Sequence, residues 1–341
     1  MSSEVAPHPT GNATALIVGG GAVGIEFHLP RIAANCNVET VYVVEPDPGR
    51  RQELAARFRR RKDIVLVSDL PPSMRHEVAV VATPPKFHEM YVARLAGQTN
   101  RLLIEKPIAR TLGEAKAIVD HLDRAGTPAF VCHIRRTLGS FRFIHEAVAQ
   151  GLFGELKSVS VHEGGVFSWR AVSLGSFSRD LNGGGVLLDT GPHTLDLMFQ
   201  VFDELKLKRA WMDADMRRGV KAIEANCVLD LEAGGGVPVE VVLSRNRTLS
   251  NKACFAFARA VLTADVRDNT IEIAAGSGSR LQCVAGSAHA MKMEFGDLFD
   301  AFYRRFVVPG DNRGVAPRDA LKVMRVIDDA YAGASLCTDG F

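Results

Sequence analysis

The sequence predicts an α/β protein whose N-terminal part is a largely parallel sheet covered by helices. Three observations carry this. A short apolar strand, Ala13 to Val18, runs directly into Gly19-Gly20-Gly21-Ala22-Val23-Gly24. Beyond it, strand-like and helix-like segments alternate as far as Cys132, the order expected of a parallel sheet. The chain has 341 residues, 47% apolar and 23% charged, which suits two compact domains with substantial cores.

Taken in order, residues 1–12 read as a flexible extension bearing Pro, Ser and Gly. Gly19, Gly21 and Gly24 then satisfy GxGxxG, and Ile25 to Ala34 can start a helix, with a kink or an early stop at Pro30. In that pattern the glycines, with Ala22 and Val23 between them, permit a tight turn and let backbone N–H groups approach a pyrophosphate. Taken alone, the same pattern also fits an ordinary strand-to-helix turn. The next strand, Val38 to Val44, supplies the context because it ends at Glu45, near the offset of an acid that receives the adenosine ribose hydroxyls of NAD. That carboxylate disfavours a phosphorylated ribose, while Arg50 and Arg51 would soften the repulsion. NAD is therefore the expected cofactor and NADP the alternative.

Asp63 to Val67, Glu77 to Ala82, Arg101 to Ile104 and Ala129 to Cys132 read as further strands, with helices at Lys86 to Ala96 and Leu112 to Ala125. Thr83-Pro84-Pro85 follows one strand and Glu105-Lys106-Pro107 another, and their prolines restrict both loops beside a bound cofactor. Lys106 on its own also fits a solvent-facing turn. In the later half, Ala225 to Glu232 and Val237 to Leu243 flank Gly234-Gly235-Gly236 as an antiparallel hairpin. Ala258 to Ala264 and Thr270 to Ala274 add strands. Phe295 to Phe306 and Pro317 to Ala332 read as helices.

The segment GGGVLLDTGPHTLD, residues 183–196, sets three polar side chains in an apolar run. If it is helical, Asp189, His193 and Asp196 share a face, which is either a buried structural network or part of a reactive pocket. Asp196, two turns on, fits a supporting role better than a substrate contact. A carboxylate-histidine pair offers too few convergent ligands for a metal, so none is expected.

The ordered set GGGAVG, Glu45, ATPP with His88, EKP and GGGVLLDTGPHTLD resembles the glucose-fructose oxidoreductase and inositol dehydrogenase family, over nearly the whole chain. The resemblance implies an NAD(P)-binding Rossmann domain over residues 13–133. It implies next, over 134–334, an α/β domain with a large, mostly antiparallel sheet for substrate binding and oligomerisation, with a late helix packing back on the first domain. A homodimer or homotetramer follows from the same likeness. It also implies that Lys106, Asp189 and His193 line the substrate site and that Thr83, Pro84, His88, Glu105 and Lys106 lie by the cofactor. Arg135, in His133-Ile134-Arg135-Arg136, is the expected contact from the crossover. Trp169 and Arg179 would form a pocket wall stacking on and bonding to a sugar, although Trp169 suits the core equally well.

The chemistry gives these residues roles. Interconverting a secondary alcohol and a ketone on a sugar or polyol moves a hydride and a hydroxyl proton together. A neutral His193 is suited to carry that proton, Lys106 to orient and balance the oxygen, and Asp189 to hold another hydroxyl or tune its neighbours. Two alternatives stay open: a nonenzymatic sugar or nucleotide sensor, and a reductase of a nucleotide-linked ketosugar or imine.

Composition excludes other classes. A formal charge of +2 gives no large cationic field, and the run Arg57 to Lys62 reads as the solvated end of a surface helix, so no nucleic-acid partner is expected. Six widely spaced cysteines favour a reduced, cytoplasmic protein over a disulfide scaffold. No apolar stretch approaches the roughly 20 residues of a membrane span.

Overall fold

The computed structural model describes residues 13–72, 74–166, 178–213, 223–276, 278–284 and 294–337. The first sheet is built from β1 (Thr14–Val18), β2 (Thr40–Val44), β3 (Ile64–Val67), β4 (Val78–Val81), β5 (Leu102–Ile104) and β6 (Ala129–Val131), in the order β3-β2-β1-β4-β5-β6 with every pairing parallel. β1, β4, β5 and β6 are buried at every position, as expected of strands with helices on both faces. The order reverses beside β1, and the loops after β1 and β4 therefore open on one crevice.

Capping residues set the helix starts. In α2 (Pro48–Arg57) the Asp47 carboxylate accepts the Arg50 N–H at 2.6 Å and Pro48 takes the first turn. α4 (Leu112–Ala125) starts at Thr111, whose Oγ1 accepts the Glu114 N–H. It ends at Gly126, left-handed at φ 62°.

Pro30 behaves differently from a helix stop. The helix after the glycine loop continues through it, as a π-helical stretch Val23–His28 leading into α1 (Leu29–Asn35). Proline deprives the preceding turn of a donor, and the wider π spacing absorbs the loss. Arg31 donates from Nη1 to the carbonyl of Glu26, four residues before Pro30, at 3.5 Å, and to that of Phe27 at 3.4 Å. α3 (His88–Leu95) follows the proline loop after one 3-10 turn, Pro85–Phe87.

The chain leaves β6 through a 3-10 turn, Ile134–Thr137, and α5 (Gly139–Ala149) to the second sheet. This sheet is formed by β7 (Leu156–Gly164), β8 (Leu205–Asp213), β9 (Asn226–Ala233), β10 (Val237–Ser244), β11 (Lys252–Phe257), β12 (Ala260–Asp265), β13 (Thr270–Ala275), β14 (Arg280–Val284) and β15 (Ser335–Cys337). Their order is β14-β13-β12-β11-β7-β10-β9-β8-β15, antiparallel except at β7–β10 and β8–β15. Burial alternates along β9, β11 and β12, so one face packs on the core, where Phe255 meets Phe141 of α5. The expected hairpin is β9–β10, joined by Gly234-Gly235-Gly236.

The glycine segment 183–185 leads from α6 (Arg179–Asn182) into α7 (Val186–Asp189) and α8 (Gly191–Val201), two helical pieces meeting at Thr190. Later, α9 (Phe295–Phe302) and α10 (Pro317–Gly333) return to the first sheet. Phe295 and Phe299 pack on Phe27, Arg31 pairs with Asp300 at 2.9 Å, and α10 lies against α4. No described helix is long and apolar enough to cross a membrane.

Close approach explains two of the glycines. A Cβ on Gly184 would lie 1.9 Å from the Tyr331 hydroxyl of α10, and one on Gly185 2.0 Å from the Glu224 carbonyl oxygen. Glu224 is buried, and its carboxylate accepts the N–H groups of Gly185 and Leu187 and the Tyr331 hydroxyl. Gly185→Ala is therefore expected to lower the thermal midpoint, at a cost of about 2 kcal/mol or more. An unchanged midpoint in calorimetry would show that this backbone contact yields without strain.

Candidate active site

The glycine loop forms the floor of the crevice. Gly19 has φ 110°, and a Cβ there would sit 2.5 Å from the Ala82 carbonyl, while Gly21 faces open space with nothing within 4 Å. This open backbone at the start of a helix fits a pyrophosphate. At the end of β2, Glu45 accepts the N–H of Gly20 at 3.1 Å and that of Asp47 at 2.9 Å, so its carboxylate is held at the crevice edge. The neighbouring arginines are engaged with backbone: Arg50 donates to the Gly20 carbonyl and Arg51 to those of Glu45 and Pro46.

His88 is placed differently from the expectation of a cofactor contact. It is fully buried, one ring nitrogen 2.8 Å from the Thr83 carbonyl and the other 3.0 Å from that of Ile108. Its ring ties the Thr83-Pro84-Pro85 loop to the chain after Pro107, because a side chain with no accessible surface works through what it holds. Glu105 is likewise buried beneath its loop. One oxygen lies 2.9 Å from His28 Nε2 and the other accepts the Lys106 N–H at 3.1 Å, while Tyr303 reaches His28 Nδ1 at 2.8 Å. Burial raises the Glu105 carboxyl, and the His28 bond with the charges of His28 and Lys106 outweighs it, leaving the group below its usual range.

Cys132 completes this cluster, with its ligand atom and those of His28 and Glu105 within 4.8 Å of one another. Burial and the nearby Glu105 push the Cys132 thiol up, so it stays protonated and bonds to the carboxylate. A thiol in that state suits a hydrogen-bonded network better than a metal centre.

Lys106 reaches from the first domain to the second. Its Nζ donates to the Asp189 carbonyl at 3.1 Å and to Oδ1 at 3.2 Å, and Arg245, just beyond β10, donates to Oδ2 at 3.0 Å. The Asp189 side chain keeps 47% of its surface exposed. Its partial burial raises the carboxyl, and Lys106 and Arg245 outweigh this, so it titrates below the usual carboxylate range.

His193 stands one turn further on, buried, with Nδ1 unpartnered. Burial and then the charges of Lys106, Arg135 and His133 hold its pKa well below 6.5, so the ring is neutral at physiological pH.

The crossover arginines are turned to other partners. Arg135, expected on the substrate, makes two 2.7 Å bonds to the buried Glu163, which also accepts the Thr194 hydroxyl at 2.7 Å. Through that pair Arg135 ties the crossover turn to β7, and Glu163 carries the link on to Thr194 of α8. Arg136 pairs with Asp196 through two 2.9 Å bonds, giving that buried acid its supporting role. His133 is the member of this stretch that sequence reasoning passed over. Both its ring nitrogens are buried without a hydrogen-bond partner, Nδ1 lies 3.9 Å from an Asp196 carboxylate oxygen, and its charge neighbours include Glu105 and Lys106. Unpaired buried polar atoms mark places where water or a ligand completes the bonds. Arg179 is exposed on α6, and Trp169 lies outside the described residues.

Comparison with known proteins agrees with this layout. Residues 13–133 match a family model described as an oxidoreductase family with an NAD-binding Rossmann fold, and residues 141–278 match the GFO/IDH/MocA C-terminal domain. The rhizopine catabolism protein MocA of Rhizobium meliloti is 28% identical over 183 residues, 53% of this chain and 55% of its own length. D-glucoside 3-dehydrogenase of Escherichia coli is 26% identical over 193 residues, 54% of this chain and 52% of its own. The chain spans about half the length of the curated relatives it matches. A 3-ketoreductase of Actinomadura kijaniata, solved with NADP and TDP-benzene, shares the fold at TM-score 0.79 and 16% identity, covering 96% of this chain and 99% of that one.

The histidines yield a pH prediction. His88, His133 and His193 all resist protonation through burial, while the unfolded chain takes up protons near pH 6.5. Their contribution is therefore fully favourable above about 6.5, and stability falls as pH drops below it. Urea midpoints are expected to be lower at pH 5.5 than at 7.5, and labelled-histidine NMR should find His193 neutral at pH 6. A His193 ring titrating at 6.5 or above would contradict the environment described.

Proposed function

The chain belongs to the GFO/IDH/MocA family of oxidoreductases with an NAD-binding Rossmann domain, and from that premise we propose that it interconverts a secondary hydroxyl and a ketone on a sugar, polyol or sugar-like molecule. The observation that carries this reading is the meeting of Lys106, Asp189 and a neutral His193 where the first domain touches the second. Gly19, Gly21 and Gly24 with Ala22 and Val23 would hold the dinucleotide phosphates, and Glu45 the adenosine ribose. Thr83 and Pro84 would flank the cofactor, with Glu105 and His88 fixing the loops. When bound, the nicotinamide supplies the hydride acceptor or donor.

The side chains then divide the remaining work. Lys106 holds the reacting oxygen and balances the charge that develops on it. Its bonds to Asp189 keep the ammonium aimed across the cleft, and the exposed part of the Asp189 carboxylate binds a second substrate hydroxyl. Neutral His193 accepts the hydroxyl proton during oxidation. In reduction the ring first takes up a proton from solvent, and because burial and Lys106 disfavour the cation it passes that proton on to the forming alkoxide. The name D-glucoside 3-dehydrogenase on one relative supports a sugar hydroxyl as the reacting group. Association into homodimers or homotetramers belongs to the same reading, checked by light scattering.

Two measurements test it. Calorimetry on the folded protein should show NADH binding more tightly than NADPH, and Glu45→Ser should narrow that gap about tenfold or more. With a substrate found in a polyol and ketosugar panel, Lys106→Met and His193→Ala should each lower kcat by about 10²–10⁴-fold. His193→Ala should keep NADH affinity and the native circular dichroism. Full activity in both variants would refute the assigned roles.

A further inference from the structure

The cleft continues past Asp189 into a cavity of about 240 Å³, walled by Gly164 and Gly165 at the end of β7, by Thr190, by Ser244 at the end of β10, and by Arg245 and Arg267. The charge on this wall is positive. Each of two carboxylates here serves two cations: Asp189 meets Lys106 at 3.2 Å and Arg245 at 3.0 Å, and Glu163 meets Arg135 at 2.7 Å and Arg267 at 3.5 Å. Glu163 is already committed to two short Arg135 bonds and the Thr194 hydroxyl. Arg267 is thus a third-hand partner to it, and its side chain keeps 50% of its surface exposed. Neutral hydroxyls are matched by single donors and acceptors. Two guanidinium groups converging on one cavity match the paired oxygens of a carboxylate or phosphate.

We infer that the substrate carries an anionic group, a carboxylate or a phosphate, which docks against Arg245 and Arg267 while the reacting carbinol lies at Lys106 and His193. This rests on the reading of Lys106, Asp189 and His193 as the reaction centre. Asp189 is the divider between the two ends: its Oδ1 side serves the reaction and its Oδ2 side steers Arg245 along the cavity wall. The exposed half of its carboxylate takes a hydroxyl between them. A neutral sugar would fill the first part of the site and leave the cationic part to water.

The test compares matched sets of neutral and charged polyols with the full chain in the presence of NAD: glucose, glucuronate and glucose 6-phosphate, and inositol beside its monophosphate. Binding by calorimetry and kcat/KM are both read. The charged members are expected to bind at least about tenfold more tightly, with the carboxylate and phosphate arms telling the two groups apart. Arg267→Met should weaken the charged members about tenfold more than the neutral ones, and Arg267→Lys should recover part of the loss. Neutral members binding as well as charged ones, a charge preference untouched by Arg267→Met, or no binding of any charged member would each overturn the inference. Turnover of a neutral sugar that His193→Ala abolishes would leave the proposed reaction standing when this inference fails, so the two failures are separable.

Discussion

Lys106 ties the two halves of the molecule together at the site. Lys106 leaves β5 on a loop of the first domain and closes on the carbonyl and carboxylate of Asp189, on a short helix of the second. Asp189 in turn holds Arg245 at the end of β10, so one carboxylate relates a parallel sheet, a helix and an antiparallel sheet. Behind Lys106 the line continues through its own N–H to Glu105, from Glu105 to His28, and from His28 to Tyr303 after α9. Most of these groups are buried, where removing one partner leaves an uncompensated charge or an unfilled bond. The late helices therefore take part in placing a lysine that is distant from them in sequence.

The same arrangement keeps His193 neutral. A histidine beside an acid tends to gain a proton, yet here the nearby Asp189 is already shared between two cations. Glu163 is held by Arg135, and Asp196, three residues beyond His193 in α8, by Arg136. Burial and the positive neighbours thus act in one direction on His193, and the ring keeps the lone pair that proton acceptance needs. Burial supplies the largest part of this effect, and the cations Lys106 and Arg135 add to it.

The cofactor half was largely legible in the sequence because its signals are local. The glycine loop, the acid at the end of β2 and the two proline loops each lie within a few residues of the strand that positions them, and the alternation of strands and helices predicts a largely parallel sheet. Pro30 was readable as a disturbance but not as a π-helical stretch, since the outcome depends on what fills the freed carbonyls. In the second domain the hairpin around Gly234-Gly235-Gly236 carried its own turn chemistry. β7, β8 and β11 had no such markers, and their identity comes from the strands they pair with.

The substrate side was harder to read for a related reason: its contacts join residues far apart in the chain. Arg135 was readable as a basic crossover residue, but its two bonds to Glu163, 28 residues away, were not. Gly184 and Gly185 likewise answer to distant residues, since they make room for Tyr331 and Glu224. Arg245 and Arg267 stand among ordinary strand and loop residues, and only the fold brings them to one cavity with Asp189. Chemistry shared by many substrates can be written in short motifs, because the cofactor and the reacting oxygen do not change. Features that distinguish one substrate from another are assembled from distant strand ends, and it is there that this chain sets its cationic wall.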